Sequence, residues 1–514
     1  MDKSDGASNH HSDLVTFGVN DPEDPVNWSS VKKLFNTSIL CVLAFTSVFG
    51  SSSYAPGQGQ IMKQYHVSVD VASLGLSFYV LGFAMGPLIC PLSEFRGRKL
   101  PYMISWPLMI ASIAPSAFAK NVVVILLFRF FTGCCAACAL NNGSGAISDV
   151  YHNNPPAQGK GVSFCPLSGP CFGSLVGFFV AASGWHGLWV VRVHLILSAA
   201  CWPLVFMLKE THGPTLLRRR ARALRAQGHA NAYSHEEIEP SKPRDIIQNH
   251  LLRPAKMFIH EPICQGAGIW ISLAYGIVYF FFEVYPVIFI TQHNIPFRLC
   301  GLMFLPIVAG MFVLIAGYQP LTRLFARLPL PGIVPQGKVL APLESDLKLV
   351  ISACVGVPIS LFWLGWTSGR ETHWIAPALA GVVFGYSMVA IFICFIGYMT
   401  RIYKIYSASS SAANTCIRSI VAAGFPVATH RLLDAMGTKW GLSLFGFLSF
   451  GMLPIPLIFI RYGDELRARS RYAREADVLI ARLSARQDEE KTNVEHLDSL
   501  SSKGQEQKQE TSSV

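Results

Sequence analysis

Charge is scarce in this chain. Asp, Glu, Lys and Arg make up 14% of its 514 residues, against roughly 25% in soluble domains, which excludes an ordinary soluble enzyme or binding module. No G-x-x-x-x-G-K-[ST] phosphate loop occurs, so no nucleotide-driven step is expected. Nucleophiles and metal ligands do not gather at one depth, so neither an enzyme nor a cofactor is expected. The 13 cysteines fall mostly inside apolar runs rather than at the regular spacing of an extracellular disulfide framework, and are read as small packing residues. Cys134, Cys135 and Cys138 contain a C-x-x-C but have no nearby His or acid, which argues against a metal. The polar N-terminal stretch lacks a basic-then-apolar start with a cleavage site, so the first apolar run is expected to stay inserted.

What the chain does have is apolar length. Hydrophobic residues reach 51% and the mean hydropathy is +0.38. Runs of about 20 apolar residues, each long enough to cross the hydrocarbon as a helix, centre near Phe45, Tyr79, Met109, Gly133, Val176, Ala199, Val278, Ile307, Gly356, Gly385, Ala422 and Phe450. The fifth, rich in glycine, and the eighth, interrupted by Pro306 and Pro320, are the weakest. The fold class is therefore an all-α membrane protein with about twelve transmembrane helices. The expected organisation is a cytosolic tail (1–33), a six-helix bundle (34–208), a cytosolic central loop (209–262), a second six-helix bundle (263–462) and a cytosolic tail (463–514) whose distal part is too polar to bury a core and is expected to be disordered.

The net charge of +11 sits at the ends of apolar runs rather than on one soluble face, so no nucleic-acid partner is expected. Arg96, Arg98 and Lys99, the cluster Arg218 to Arg225, Arg323 and Arg327, Arg401 and Lys404, and Arg461 to Arg471 all fall on one side if the spans alternate. The positive-inside rule makes that side the cytosol, with both termini there. Arg431 and Lys439, in the expected last outer loop, are the exception. No N-glycan is expected, because Asn36 and Asn142 fall within spans and Asn27 is cytosolic.

Ionised groups at mid-membrane cost roughly 2.5–3.5 kcal/mol on insertion scales and usually mark a pathway. Arg129, Glu283 and Arg418 are such groups. Glu283, in Tyr279-Phe-Phe-Phe-Glu-Val-Tyr-Pro286, is the best proton carrier, because burial favours its neutral form. A fixed ion pair with Arg129 or Arg418 is the competing reading. Between the second and third spans, PLSEFRGRKLPYMISWP (residues 91–107) crowds cations and a carboxylate into a short hairpin. Its arginines fix topology on the plainest reading. Gly86 and Pro87 before it, and Gly97 as a tight turn within it, also hold Glu94, Arg96 and Arg98 at fixed spacing. In the fifth span Gly169, Pro170, Gly173 and Gly177 bend a helix and let a neighbour approach, either for packing alone or as part of a working seam.

The stretch Gly86 to Lys99 resembles the signature loop of the major facilitator superfamily, in the version found in fungal twelve-span drug:proton antiporters. Asp21-Pro-Glu-Asp-Pro-Val-Asn-Trp-Ser, Arg129-Phe-Phe-Thr-Gly133, Ser168-Gly-Pro-Cys-Phe-Gly173, Glu210-Thr, Trp374-Ile-Ala-Pro377 and Ser411 to Ser419 extend the likeness over nearly the whole chain. The resemblance implies two six-helix bundles rocking about a central cavity. It implies a cytosolic latch made by Gly86, Glu94, Arg96, Gly97 and Arg98, and an antiporter motif of Gly169, Pro170, Gly173 and Gly177 that seals against leak. It further implies that Arg129 and Arg418 orient acids or substrate, that Asp149 is a helix-end or latch acid, and that Tyr54, Tyr279 and Tyr386 line the cavity. The implied activity is proton-coupled efflux of amphipathic organic compounds such as drugs, toxins or secondary metabolites. Export of polyamines or of a self-made toxin is the alternative, and facilitated nutrient uptake is disfavoured by the fifth-span motif. The implied partners are the lipid bilayer, protons and a small amphipathic substrate; oligomeric state stays open, with a monomer favoured. The expected location is the plasma membrane, with the vacuolar membrane second. Four positions depart from the family pattern: the signature loop is one residue short, His186 stands for an arginine, Arg401 for an aspartate and Ser174 for a proline.

Overall fold

Polar caps open the long helices where the sequence turns apolar. The computed structural model describes residues 14–18, 20–86, 96–151, 155–229, 231–238, 252–327 and 342–481. In α1 (Ser30–Ser52) the Ser29 hydroxyl accepts the Lys32 N–H. Ser68 does the same for α2 (Val69–Phe83) and Asn121 for α4 (Val122–Val150), each satisfying a donor that helix geometry orphans. The N-terminal half also holds α3 (Lys99–Ala117), α5 (Pro155–Ala182) and α6 (Trp189–Met207). The second half holds α7 (Pro262–Tyr285), α8 (Leu305–Arg327), α9 (Pro342–Trp366), α10 (Ile375–Tyr403), α11 (Ser407–Gly451) and α12 (Pro454–Arg469).

Among the described residues, eight helical stretches are long and apolar enough to cross a membrane. The last of them, Ile375–Arg469, breaks at Lys404 (φ 46°) and again at Gly437 (φ 72°) and so crosses three times. With α2 and α3 the path makes twelve crossings, and both ends lie on one side. α8 runs straight through Pro320, and Pro306 sits in its first turn, where a missing N–H costs nothing. Every expected span centre falls inside one of these helices. Phe312, Ile359 and Phe447 are among the large apolar side chains exposed on the outer surface, as lipid-facing positions are.

Packing repeats after six helices. α1 packs on α5, α2 on α4, α3 on α4 and α3 on α6; correspondingly α7 packs on α11, α8 on α10, α9 on α10 and α9 on α12. Between the halves α2 meets α11, and its counterpart pair α5 and α8 also meet. Glycines make the repeat visible at atomic scale. A β-carbon at Gly133 would stand 2.1 Å from the Tyr79 carbonyl oxygen of α2, and one at Gly82 would stand 2.5 Å from the Phe130 oxygen of α4. In the second half a β-carbon at Gly385 would stand 1.9 Å from the Ile307 oxygen, and one at Gly310 would stand 1.9 Å from the Val382 oxygen. Each pair of backbones touches through reciprocal glycines, the close approach that membrane helices use in place of a hydrophobic driving force.

On the cation-rich face the N-terminal tail docks on the central segment. Asp24 caps the turn Pro25–Asn27, Asp21 pairs with Arg220, and the Val15 N–H bonds the Tyr233 carbonyl at 3.0 Å. Arg225 holds Glu237 through two contacts of 2.9 and 3.0 Å. That guanidinium draws the Glu237 carboxyl from its ordinary 4.5 down to about 2. A depressed acid contributes its stability above its unfolded value and loses it as pH falls toward the folded one, so this tie persists at any cytosolic pH. Glu94, the distal tail beyond Asp488 and part of the central loop lie outside the described residues.

Candidate functional site

Arg129 of α4 is 3% exposed inside the N-terminal half, where an unpaired guanidinium would be prohibitive. It is satisfied by the backbone. Its Nε donates to the Gly75 carbonyl at 2.5 Å and Nη2 to the carbonyls of Ser51 (3.0 Å) and Gly50 (3.3 Å). Tyr54 and Tyr79 stack on its faces at 4.3 and 4.8 Å. Tyr54, fully buried, is thus a wall of the Arg129 cage here. His194 of α6 completes the packing against Gly50 and Tyr79.

Glu283 of α7 is held from two directions. Gln58, at the outer end of the first crossing, donates Nε2 to Oε1 at 2.8 Å. His430 of α11 places its Nε2 3.2 Å from Oε2. The fixed ion pair with Arg129 or Arg418 that the sequence allowed is not formed among the described residues; the amide and imidazole take those positions. The His430 side chain is 27% exposed and the Glu283 side chain 6%, so histidine is the outward member. A hydrogen bond at that distance forms either from imidazole N–H to carboxylate or from carboxyl O–H to imidazole, so the pair can share one proton and accept another.

Further links close the outer side. Tyr279 of α7 bonds Ser51 of α1 at 3.1 Å and Tyr275 at 3.2 Å. Arg431 pairs with Asp70 of α2 at 2.9 Å, and Lys439 sits 3.6 Å over Trp366. These two outer cations are thus partnered within the fold. Phe178 of α5 meets Phe297 and Phe304 at the start of the eighth crossing. Tyr275, the partner of Tyr279, carries the Arg418 guanidinium 5.1 Å over its ring. Tyr386 is half-buried, bonded to Ser352 at 3.1 Å.

At the cytosolic end the hairpin is anchored within its own half. Arg98 Nε meets Asp149 Oδ2 of α4 at 3.0 Å, and Asn142 donates to the Arg98 carbonyl at 2.7 Å. Gly97 turns at φ 93°, where a side chain would be strained and a β-carbon would stand 2.2 Å from Glu210. Arg96 is exposed, and Gly86 packs so closely on Asn141 that a β-carbon would lie 2.1 Å from its amide. Glu210 accepts the backbone N–H groups of Arg98 (2.7 Å), Lys99 (3.2 Å), Thr211 (3.0 Å) and His212 (3.0 Å). Glu210→Ala is therefore expected to cost about 1–2 kcal/mol, as for a lost helix cap. Glu210→Gln should cost less, since one amide oxygen remains; thermal unfolding in detergent compares them.

The fifth-span motif forms one stripe against α1. β-Carbons at Gly169, Gly173 and Gly177 would stand 2.6 Å from Val48, 2.3 Å from Ser52 Oγ and 2.7 Å from the Ser53 carbonyl. Ser52 Oγ donates to the Pro170 carbonyl at 2.6 Å, one of the bonds tying α1 to α5.

The model of the Major Facilitator Superfamily matches residues 40–426. The chain belongs to the major facilitator superfamily. It is 36% identical over 469 residues to the ascochitine biosynthesis cluster MFS transporter of Didymella fabae, covering 90% of this chain and 89% of that one. It is 32% identical to the major facilitator superfamily multidrug transporter mdrA of Aspergillus fumigatus, covering 91% and 77%. Among solved structures, the superfamily proton:xylose symporter XylE has a TM-score of 0.58 at 14% identity, covering 84% of this chain and 96% of that one, a likeness of fold alone. The protein is therefore a multi-pass membrane transporter of this superfamily.

Sequence reasoning missed Gln58, His430 and His194. Gln58 lies in a short outer helix that periodicity does not connect to the pathway. His430 falls where an outer loop was expected. His194 had a visible signal, a titratable residue within an apolar run.

Proposed function

We propose that this superfamily member exports amphipathic organic compounds across the plasma membrane in exchange for protons, with Glu283 as the proton carrier. The observation that carries this reading is the placement of Glu283 on α7, bonded to Gln58 of the opposite half and to His430 beside the outer seal. Parting the halves on the outer side breaks the Gln58 bond and opens the pair to external protons. His430, the more exposed member, takes the proton and relays it to Glu283. A neutral Glu283 is less costly to carry through the closed state than a carboxylate. Resealing restores the Gln58 bond, and opening toward the cytosol lets the proton leave. The Arg98–Asp149–Glu210 anchor keeps the hairpin and the ends of α3, α4 and α6 together while the halves rock. Relatives named for a biosynthesis cluster and for multidrug transport support a self-made or foreign amphipath as cargo.

Energised cells expressing the chain should retain less of at least one compound from a panel of fluorescent amphipaths than cells without it. A protonophore should restore that retention. Retention that falls equally with and without the protonophore would replace exchange by facilitated diffusion.

A further inference from the structure

Two arginines lie inside the membrane, and the structure treats them oppositely. Arg129 is enclosed by three backbone carbonyls. Arg418, eleven residues into α11 and so about 16 Å from its cytosolic start, makes no hydrogen bond or ion pair among the described residues. Its Nε is buried without a partner. Its guanidinium lies 5.1 Å over the ring of Tyr275 of α7 and 5.4 Å over that of Phe392 of α10. Among the described residues, the buried carboxylates on this half, Glu261 and Glu283, are already engaged. Glu261 accepts from Tyr403 Oη (3.3 Å) and the Tyr472 N–H (3.2 Å), and Glu283 is held by Gln58 and His430.

Other polar groups around it are equally unpartnered. Asn414, one turn earlier on the same face of α11, has both amide atoms buried without partners and lies against Gly268 of α7. Ser272, one turn further along α7 from Gly268, has a buried hydroxyl without a partner. Native interiors satisfy nearly all such groups, so a cluster of orphans calls for an occupant. This seam is linked to the other half, because Tyr275 connects through Tyr279 to Ser51 of α1.

We propose that Arg418 and Asn414, walled by Tyr275 and Phe392, bind the anionic group of the transported molecule, so that the cargo is an amphipathic organic acid. The guanidinium supplies the fixed charge and a fork of donors matched to a carboxylate. The Asn414 amide and Ser272 hydroxyl hydrogen-bond the anion or a neighbouring polar group, and the aromatic faces cover the apolar body. A cation would meet an uncompensated positive charge there, and a neutral molecule would leave the guanidinium unpaired. This assignment rests on the reading of the protein as an exporter of amphipaths and names the class it takes.

The test is equilibrium binding of three probes that share one body, 1-pyrenebutyric acid, 1-pyrenebutanol and 1-pyrenebutylamine, to the purified full chain, followed by quenching of its tryptophan fluorescence. The acid is expected to bind about tenfold to a hundredfold more tightly than the alcohol, the range that a charged hydrogen bond is worth, and more tightly still than the amine. Arg418→Gln should erase that preference while leaving binding of the alcohol in place, and Arg418→Lys should keep part of it. Equal affinity for the three probes, a preference for the amine, or no binding of the acid overturns the proposal on the wild-type chain alone, whether or not a variant folds. Proton-driven transport is scored separately in vesicles. Export of neutral or cationic amphipaths with no acid preference removes the anion site and keeps the exporter. Acid-selective binding with no gradient-driven movement does the reverse.

Discussion

Glu283→Gln is expected to abolish proton-driven accumulation in proteoliposomes while leaving substrate exchange down its own gradient intact. Glutamine keeps the shape and can still accept from Gln58 Nε2, which lies 2.8 Å from the present carboxyl oxygen, so the outer seal closes as before. It cannot take up or release a proton. A single proton moving through 100 mV supplies about 2.3 kcal/mol, equivalent to about a fiftyfold concentration ratio; for an anionic cargo, coupling adds that factor to the ratio the potential alone sustains, and the added factor should be lost in the variant. Counterflow, which needs binding and alternating access but no net proton movement, should persist. His430→Gln should weaken coupling less, because Glu283 remains titratable once its outer relay is gone. Full accumulation by Glu283→Gln would remove Glu283 as the carrier and shift attention to other titratable groups of the pathway.

The contrast between what was and was not legible in the sequence follows from length scale. Crossing the hydrocarbon demands some 20 apolar residues, so every crossing announced itself, including α8, whose prolines interrupt the pattern but not the structure. The stripe Gly169, Gly173 and Gly177 could be read because four-residue spacing puts small residues on one helix face; that the face meets α1 had to come from the structure. Partners were harder. Arg129 is satisfied by carbonyls of Gly50, Ser51 and Gly75, and backbone acceptors leave no trace in a sequence. Glu283 was visible as a costly charge, whereas its neighbours Gln58 and His430 lie 225 and 147 residues away and carry no individual signal. The hairpin anchor fell between these cases: Glu210-Thr stood out as a motif, yet its role as acceptor for four backbone amides depends on a contact across more than a hundred residues.

Gly385→Ala should lower the melting temperature by several degrees, and Gly385→Leu should leave no monodisperse protein in detergent. A β-carbon there would stand 1.9 Å from the Ile307 carbonyl oxygen. That oxygen belongs to a helical backbone and has no rotamer to move, so α8 and α10 must separate. Overpacking of this kind costs about 1–3 kcal/mol for small additions and more for large ones. Gly424, on α11, is the control, since a β-carbon there meets nothing within 4 Å. Gly424→Ala should be neutral or stabilising by up to about 1 kcal/mol, the helix-propensity difference alone. Thermal unfolding followed by size-exclusion separates the two cases, and equal stability of Gly385→Ala and the wild type would contradict the α8–α10 approach. The N-terminal half offers the matched test, because Gly133 faces the Tyr79 carbonyl oxygen at 2.1 Å. If the halves are one architecture used twice, Gly133→Ala should lower stability to a similar degree. The damage should then track the helix pair rather than the half that carries the proton carrier, which separates the glycines' structural work from the coupling chemistry of Glu283.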